Sequence, residues 1–269
     1  MPKLRFTITA ELPEPESIDL PAILSSYDAG ETDLIVILGP TASGKTKYAV
    51  EMARSIAGTY GPAEIISADS RQVYRGMDIG TGKDLSEYGE IPYHLIDIAP
   101  AGSKYNVYQY QEAFSKAYAD IRGRGAVPIL CGGTGLYIEA AACAYDFGKE
   151  KPQVDLSLMP SKPFFIGTLV SREVRNARID ARLDARLEEG LVEEIKTLLD
   201  SGIPAQDLIY YGLEYKFVTR YVTGETSYEF MKEHLAIAIH QFAKRQMTWF
   251  RGMERDGIRI HWTEVPAAV

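Results

Sequence analysis

Cysteine is scarce in this chain: Cys131 and Cys143 are too few for a disulfide framework. No apolar run approaches the length that crosses a bilayer. The opening residues, Met-Pro-Lys-Leu-Arg-Phe-Thr-Ile-Thr-Ala-Glu, hold no apolar signal core. Secretion and membrane insertion are therefore not expected, and the cytoplasm is the expected compartment. An excess of positive charge is also missing. The formal net charge of −8 argues against broad coating of nucleic acid. It leaves room for one local basic groove, because steering depends on where charge sits as well as on its sum. There is no internal repeat and no low-complexity tract. What remains is an ordinary globular composition, 46% hydrophobic and 25% charged over 269 residues, suited to one α/β domain with a small appendage.

The densest signal is Gly39-Pro40-Thr41-Ala42-Ser43-Gly44-Lys45-Thr46, which fits G-x-x-x-x-G-K-[ST]. The apolar run Leu34–Leu38 leads into it, and Tyr48, Met52 and Ile56 follow at helical spacing. A strand, a glycine-bearing turn and a helix N-terminus together make a phosphate loop, whose backbone N–H groups curl around an anion. Lys45 can reach the phosphates as a point charge, and Thr46 can hold Mg²⁺ by its hydroxyl. The bland alternative is a glycine turn without a ligand.

From residue 33 onward apolar runs at 34–38, 63–67, 93–98, 126–131 and 163–170 alternate with helical patterns. Val107, Tyr110, Phe114, Ala117 and Ile121 give one apolar helix face. Such alternation predicts a P-loop NTPase-like α/β fold, a parallel sheet flanked by helices. Ligands in such sheets sit beyond the carboxyl ends of the strands, which selects Asp69, Asp97 and Thr134. After residue 171 the chain reads as helical. Arg172, Arg175, Arg178, Arg182 and Arg186 form a stripe, read mostly as a solvated face paired with Asp180 and Asp184, and Glu188, Glu189, Glu193 and Glu194 follow. Thr226-Ser-Tyr-Glu229 reads as a capping box opening a long helix that ends near Gly252, and Ile258–Trp262 as a last strand. Before residue 33, Leu4–Thr9 alternates like a short strand and Pro13, Pro15 and Pro21 break the pattern; residues 1–32 read as an extension on the domain edge.

Asp69 ends an apolar run beside the phosphate loop. It can hold a metal through water, take a proton from a nucleophile, or simply cap the following turn. Gly132-Gly-Thr134-Gly is a third strand-to-glycine transition, where glycines let another group approach the backbone and Thr134 can donate to a phosphate oxygen. No aspartate ends this run, which weakens a plain ATPase reading; Asp69 or Asp97 could fill that metal role. Lys244, Thr248 and Arg251 share a helix face beside Trp249. Cations next to an aromatic suit a nucleic-acid backbone with a stacked base, and equally complement a helix C-terminus.

Taken together, Gly39–Thr46, Ala68–Thr81, His94–Ile98, Gly132–Tyr137, Ala177–Arg182 and Ala243–Arg251 closely resemble the tRNA dimethylallyltransferase (isopentenyltransferase) family, in the family's order and over most of residues 33–252. The resemblance implies transfer of a dimethylallyl group from dimethylallyl diphosphate to the N6 amine of the adenosine 3′ of a tRNA anticodon. It implies that Gly39–Thr46 bind the diphosphate, that Lys45, Thr134 and Arg172 assist departure of that group, and that Thr46 serves Mg²⁺. It implies that Asp69 is the base. It places Asp69, Ser70, Arg71, Gln72, Lys244, Arg245, Gln246, Thr248, Trp249 and Arg251 on the tRNA anticodon-loop side. A monomeric domain over 33–269 is expected, with no membrane partner.

The sequence also departs from the family. Tyr211-Gly-Leu-Glu-Tyr215 replaces its Gly-Tyr segment, Gly82 stands where alanine is usual, and the helical insertion that grips the anticodon stem-loop is shortened to the interval near 141–165, which includes Lys149-Glu-Lys-Pro-Gln-Val-Asp155. A complete catalytic centre beside a reduced RNA clamp is the expectation. A free adenine nucleotide as acceptor, a small-molecule P-loop kinase, and an RNA-binding relative that has lost its reaction are the alternatives.

Overall fold

The computed structural model describes residues 12–143 and 154–265. The expected strand at Leu4–Thr9 and part of the shortened interval lie outside these residues. The strands are β1 Leu34–Leu38, β2 Ala63–Ser67, β3 Tyr74–Arg75, β4 Tyr93–His94, β5 Ala99–Pro100, β6 Val127–Gly132, β7 Pro163–Leu169 and β8 Ile260–Glu264. The helices are α1 Leu20–Asp28, α2 Lys45–Thr59, α3 Val107–Gly123, α4 Gly135–Ala142, α5 Arg172–Glu189, α6 Leu191–Asp200, α7 Ala205–Tyr210, α8 Leu213–Val222 and α9 Tyr228–Arg255. Six strands form one sheet in the order β4-β2-β6-β1-β7-β8, every pair parallel, and β3 pairs with β5 apart from it. This is the P-loop-like architecture that the alternating pattern predicts, with the helical region after β7.

β1 lies at the centre, between β6 and β7, and all five of its residues are buried. Strands buried on both faces read as continuous apolar runs, which explains why these runs lack alternation. One face of the sheet packs on α2 through Ala49, Val50, Ala53 and Ile56, joined by Ile23 and Leu24 of α1. The other face packs on α3 and α4 and continues into the helical region through Tyr110, Phe114, Ile138, Leu235 and Phe250.

The sheet's outer end is closed by the chain before α1. Glu16 N–H donates to the Trp262 carbonyl of β8, and the Glu16 carboxylate meets His261 at 2.8 Å. A backbone bond on an edge strand removes free pairing groups from solvent.

Several sequence expectations shift by a few residues. The run 93–98 is not one strand. Pairing with β2 stops at His94, Leu95 and Asp97 take positive φ of 63° and 56°, and β5 starts at Ala99. The long helix is capped by Ser227, whose Oγ accepts from Phe230 N–H, and Thr226 Oγ1 is buried without a partner. The same helix runs past Gly252 to Arg255, because a glycine there costs about 1 kcal/mol, too little to end a helix held by Phe250 and Met253 in the core. Asp180 and Asp184 pair outward with His240 and Lys232 of α9, not with the arginines of their own helix.

Gly167 in β7 marks where β8 closes on the sheet. A methyl group there would sit 2.3 Å from the Trp262 ring, itself 2% exposed and held by Nε1–H donation to Glu254. Gly167→Ala is expected to cost about 1–3 kcal/mol through overpacking, read as a lower urea midpoint with unchanged slope.

Candidate active site

Three loops leave the carboxyl ends of adjacent strands and meet over one cavity of about 750 Å³. The first is the phosphate loop after β1. Gly44 takes φ +83° and Ala42 φ +61°, so the chain curls before α2 begins at Lys45. A left-handed alanine is strained and persists only where neighbours hold it. The restraint is Ser43, fully buried, whose hydroxyl lies 2.7 Å from that of Thr168 in β7. Thr168 Oγ1 in turn donates to the Leu38 carbonyl. Gly39 fits because a methyl group there would lie 2.1 Å from Thr168 Oγ1.

Lys45 is half-buried, and among the described residues its ammonium reaches only the Pro40 carbonyl, at 3.5 Å. Burial pushes its pKa down from the usual lysine value, against a weaker upward pull from the Asp69 carboxylate. A half-buried cation with one long hydrogen bond is poorly compensated, and an anion delivered to this loop would remedy that. Cys131, beside it, is pushed up to about 12 by its burial and stays a neutral thiol.

The second loop follows β2. Asp69 Oδ1 accepts from Arg71 N–H at 2.8 Å, so the turn-capping role is real. Oδ2 makes no hydrogen bond among the described residues and Asp69 lines the cavity, so the carboxylate keeps one face for chemistry. The third loop follows β6. Thr134 Oγ1 accepts from Ser70 N–H at 3.1 Å and so ties the second loop to the third. Every glycine of this run is a close approach. A methyl group at Gly132 would strike the Ala68 carbonyl at 2.3 Å, at Gly133 the Gln246 amide at 2.4 Å, and at Gly135 the Trp249 ring at 2.2 Å.

The remaining wall comes from the 78–83 turn and α5. Lys83, 2% exposed, donates to the Tyr74 carbonyl, to Asp78 at 2.7 Å and to Asp97. Glu194 of α6 accepts backbone N–H bonds from Asp78, Ile79 and Gly80 at 2.8, 2.7 and 3.1 Å, and from Tyr215 Oη–H at 2.6 Å. Arg182 reaches Asp84 at 2.5 Å, and Arg186 faces Glu214 at 3.5 Å. Burial lowers the Arg186 pKa and raises that of Glu214.

The model of the IPP transferase family matches residues 72–161 and 147–253. A tRNA dimethylallyltransferase of Porphyromonas gingivalis is 49% identical, over 86% of this chain and 93% of that protein. One of Parabacteroides distasonis is 46% identical, over 86% and 92%. The chain belongs to the IPP transferase family. Among solved structures, the tRNA isopentenylpyrophosphate transferase of Bacillus halodurans superposes with a TM-score of 0.75 at 31% identity, covering 86% of this chain and 89% of that one. The alignments with the two relatives run over 287 and 288 positions, more than the 269 residues here, so those proteins carry sequence that this transferase lacks. The two runs of the family match meet at 147–161, inside the short interval.

The transferase fold brings together most of the residues singled out by sequence, and it leaves some outside the cavity. Thr41, Lys45, Thr46, Asp69, Ser70, Arg71, Gln72, Thr134, Arg245, Gln246 and Trp249 all line the cavity. Arg172 does not: it is exposed on the first turn of α5. The arginines that reach the loops lie further along the same helix. Arg178 donates to the Ala42 carbonyl at 3.5 Å, and Arg182 and Arg186 line the cavity. At 1.5 Å per residue, Arg182 sits about 15 Å along the axis from Arg172, enough to separate outside from inside.

Other departures follow from hydrogen bonding and helix phase. Asp97 pairs with Lys83 and does not line the cavity. Ser43 spends its hydroxyl on Thr168. Lys244, Thr248 and Arg251 fall off the cavity lining, with Thr248 bonded to the Lys244 carbonyl and Arg251 paired with Glu254. The side of α9 facing the cavity carries Phe242, Arg245, Gln246 and Trp249 instead. Sequence reasoning missed Arg182, Arg186, Glu214 and Glu194. The one signal for Glu194 is that it flanks the apolar face marked by Leu191, Ile195 and Leu198.

Because burial lowers the Lys45 pKa, the free ammonium discharges at a lower pH than an exposed lysine does. Above that point the anion loses its counter-charge, so pyrophosphate affinity is expected to fall with rising pH earlier in the wild type than in Lys45→Arg. Calorimetry in two buffers of different ionisation enthalpy should show more proton uptake on binding in the wild type than in Lys45→Arg.

Proposed function

We propose that this IPP transferase moves a dimethylallyl group from dimethylallyl diphosphate to the N6 amine of the adenosine 3′ of a tRNA anticodon. The observation that carries the reading is the meeting of an anion cradle, Lys45 and a half-engaged carboxylate, Asp69, in a single cavity. The loop amides and Lys45 hold the diphosphate, with Arg178 and Arg182 over it. The N6 lone pair attacks the allylic C1 while the C1–O bond breaks, its electron pair passing to the diphosphate. Charge then grows on oxygens already surrounded by donors, which lowers the barrier most when those donors are fixed beforehand. Asp69 Oδ2 orients the amine and takes the N–H proton as the new C–N bond forms. Thr134, fastened to Ser70, keeps the Asp69 loop at its distance from the cradle.

Mg²⁺ fits this donor set. No cluster of three metal-ligating side chains occurs among the described residues, and Mg²⁺ commonly takes one or two protein oxygens with substrate phosphate and water as the rest. The Thr46 hydroxyl would be the protein's share, and the ion would add positive charge on the leaving group. The adenine leaves its stack to enter, at a cost of a few kcal/mol that is smallest in a single-stranded loop. Trp249, 43% exposed beside Arg245 at the mouth, offers a ring and a cation to the RNA. The relatives named above carry tRNA in their names, which favours tRNA over a free nucleotide as acceptor. No helix of the described residues is long and apolar enough to cross a membrane. We place the enzyme in the cytoplasm as a monomer.

Incubation with dimethylallyl diphosphate, Mg²⁺ and unmodified tRNA, followed by digestion, should yield isopentenyladenosine. AMP offered instead should yield little. Prenylation of AMP in preference to tRNA, or phosphate transfer from ATP, would defeat the reading. Asp69→Asn should lower kcat by about 10²–10⁴-fold while leaving pyrophosphate affinity within twofold.

A further inference from the structure

Gln246 is 7% exposed, although it sits on α9 between Arg245 and Trp249, which face the cavity mouth. Both ends of its carboxamide are engaged by backbone. Oε1 accepts from Thr41 N–H at 2.8 Å, inside the phosphate loop, and Nε2 donates to the Gly133 carbonyl at 2.9 Å, inside the loop after β6. The assignment of oxygen and nitrogen is fixed by the partners, since an N–H needs an acceptor and a carbonyl needs a donor. The contact is close enough that a methyl group on Gly133 would lie 2.4 Å from Nε2. A carboxamide spent in this way has little left with which to read a base.

We propose that Gln246 is a positioning residue of the donor site: a cross-brace from α9 that holds the phosphate loop and the Gly133 loop at a fixed separation. This rests on the reading that a diphosphate occupies the phosphate loop, and it replaces the expected RNA-contact role of this residue. The brace acts on the Thr41 amide, within a loop whose Ala42 is held in left-handed backbone. Without it that amide is unsatisfied and the loop is free to turn, so the anion must pay for ordering it on arrival. Because Arg245 and Trp249 flank the brace on the same helix, RNA seated against them also steadies the donor loop, and the coupling is reciprocal.

Gln246→Met keeps the length and removes both hydrogen bonds; Gln246→Glu keeps the acceptor for Thr41 and removes the donor to Gly133. Two affinities decide, measured on the full chain: that for inorganic pyrophosphate with Mg²⁺, and that for an unmodified anticodon stem-loop. The expected result for Gln246→Met is a roughly tenfold weaker pyrophosphate affinity, in line with two lost hydrogen bonds in a preorganised site, and RNA affinity within twofold. Gln246→Glu should fall between it and the wild type. Loss of RNA affinity with pyrophosphate affinity intact would overturn the proposal, as would no change in either.

Hydrogen exchange at single amides supplies a readout independent of any ligand. Thr41 N–H should exchange at least tenfold faster in Gln246→Met, while Ser43 N–H, bonded to the Pro40 carbonyl, should not. If pyrophosphate fails to bind the wild type, the donor reading falls, and unchanged Thr41 exchange would sink the brace as well. Should Gln246→Met not fold, Gln246→Glu is judged by the same affinities.

Discussion

Four glycines set how near three loops can come, and the site depends on that nearness. Gly39 lies against Thr168, Gly132 against the Ala68 backbone, Gly133 against Gln246 and Gly135 against Trp249, each at a distance that a methyl group would violate. Neighbouring strands lie about 4.8 Å apart, so loops leaving β2, β6 and β1 begin close together, and ordinary side chains would spread them. Without side chains there, Thr134 can bond to Ser70 and Gln246 can reach both the phosphate loop and its neighbour. The anion cradle and the Asp69 carboxylate face one space because nothing stands between their backbones.

Charge is arranged around that space with the same division of labour. Some buried ions are spent on structure. Lys83 ties Asp78 and Asp97 to the Tyr74 carbonyl, and Glu194 gathers three backbone N–H groups of the turn that Lys83 anchors from the other end. A charged acceptor in a nest of amides is worth more than a neutral one, so this turn is held firmly although it has almost no regular structure. Lys45 is the contrary case. It is half-buried with a single carbonyl at 3.5 Å among the described residues, and that burial depresses its pKa. The contrast separates a cation that the fold consumes from one that, in the proposed reaction, is left for a ligand.

The phosphate loop, the parallel sheet and the Asp69 loop were legible in the sequence because each is local. Glycine spacing, a run of five apolar residues and the next helical period lie within twenty residues of one another. The arginine stripe of α5 was visible too, but which arginine lines the cavity was not, since that depends on where the helix axis passes over the phosphate loop. Arg172 falls outside and Arg182 inside for that reason alone. Helix phase misled in the same way at α9, where Lys244, Thr248 and Arg251 share one face while Gln246 and Trp249 occupy the face that matters. Glu194 was hidden among four glutamates, because its role is set by a turn more than a hundred residues earlier in the chain. Gln246 was legible as belonging to the site, and its task became visible only with its two backbone partners.

The short interval between α4 and β7 leaves this arrangement untouched for a topological reason. β6 and β7 flank β1, so the connection has to cross two strand spacings, about 10 Å, and return along one strand length. The residues between Ala142 and Pro163 are ample for that. Any longer insertion leaves the sheet from this point and comes back to it without altering the register of β7 on β1, which runs from Leu34 opposite Pro163 to Leu38 opposite Gly167. Thr168, next in β7, then meets Ser43 and fixes the phosphate loop. The loop after β1 is therefore insulated from the length of this connection, and a change there acts on whatever the excursion touches outside the sheet. Trp249 and Arg245 line the open cavity, and in the proposed reaction they are the groups of α9 that the acceptor would meet.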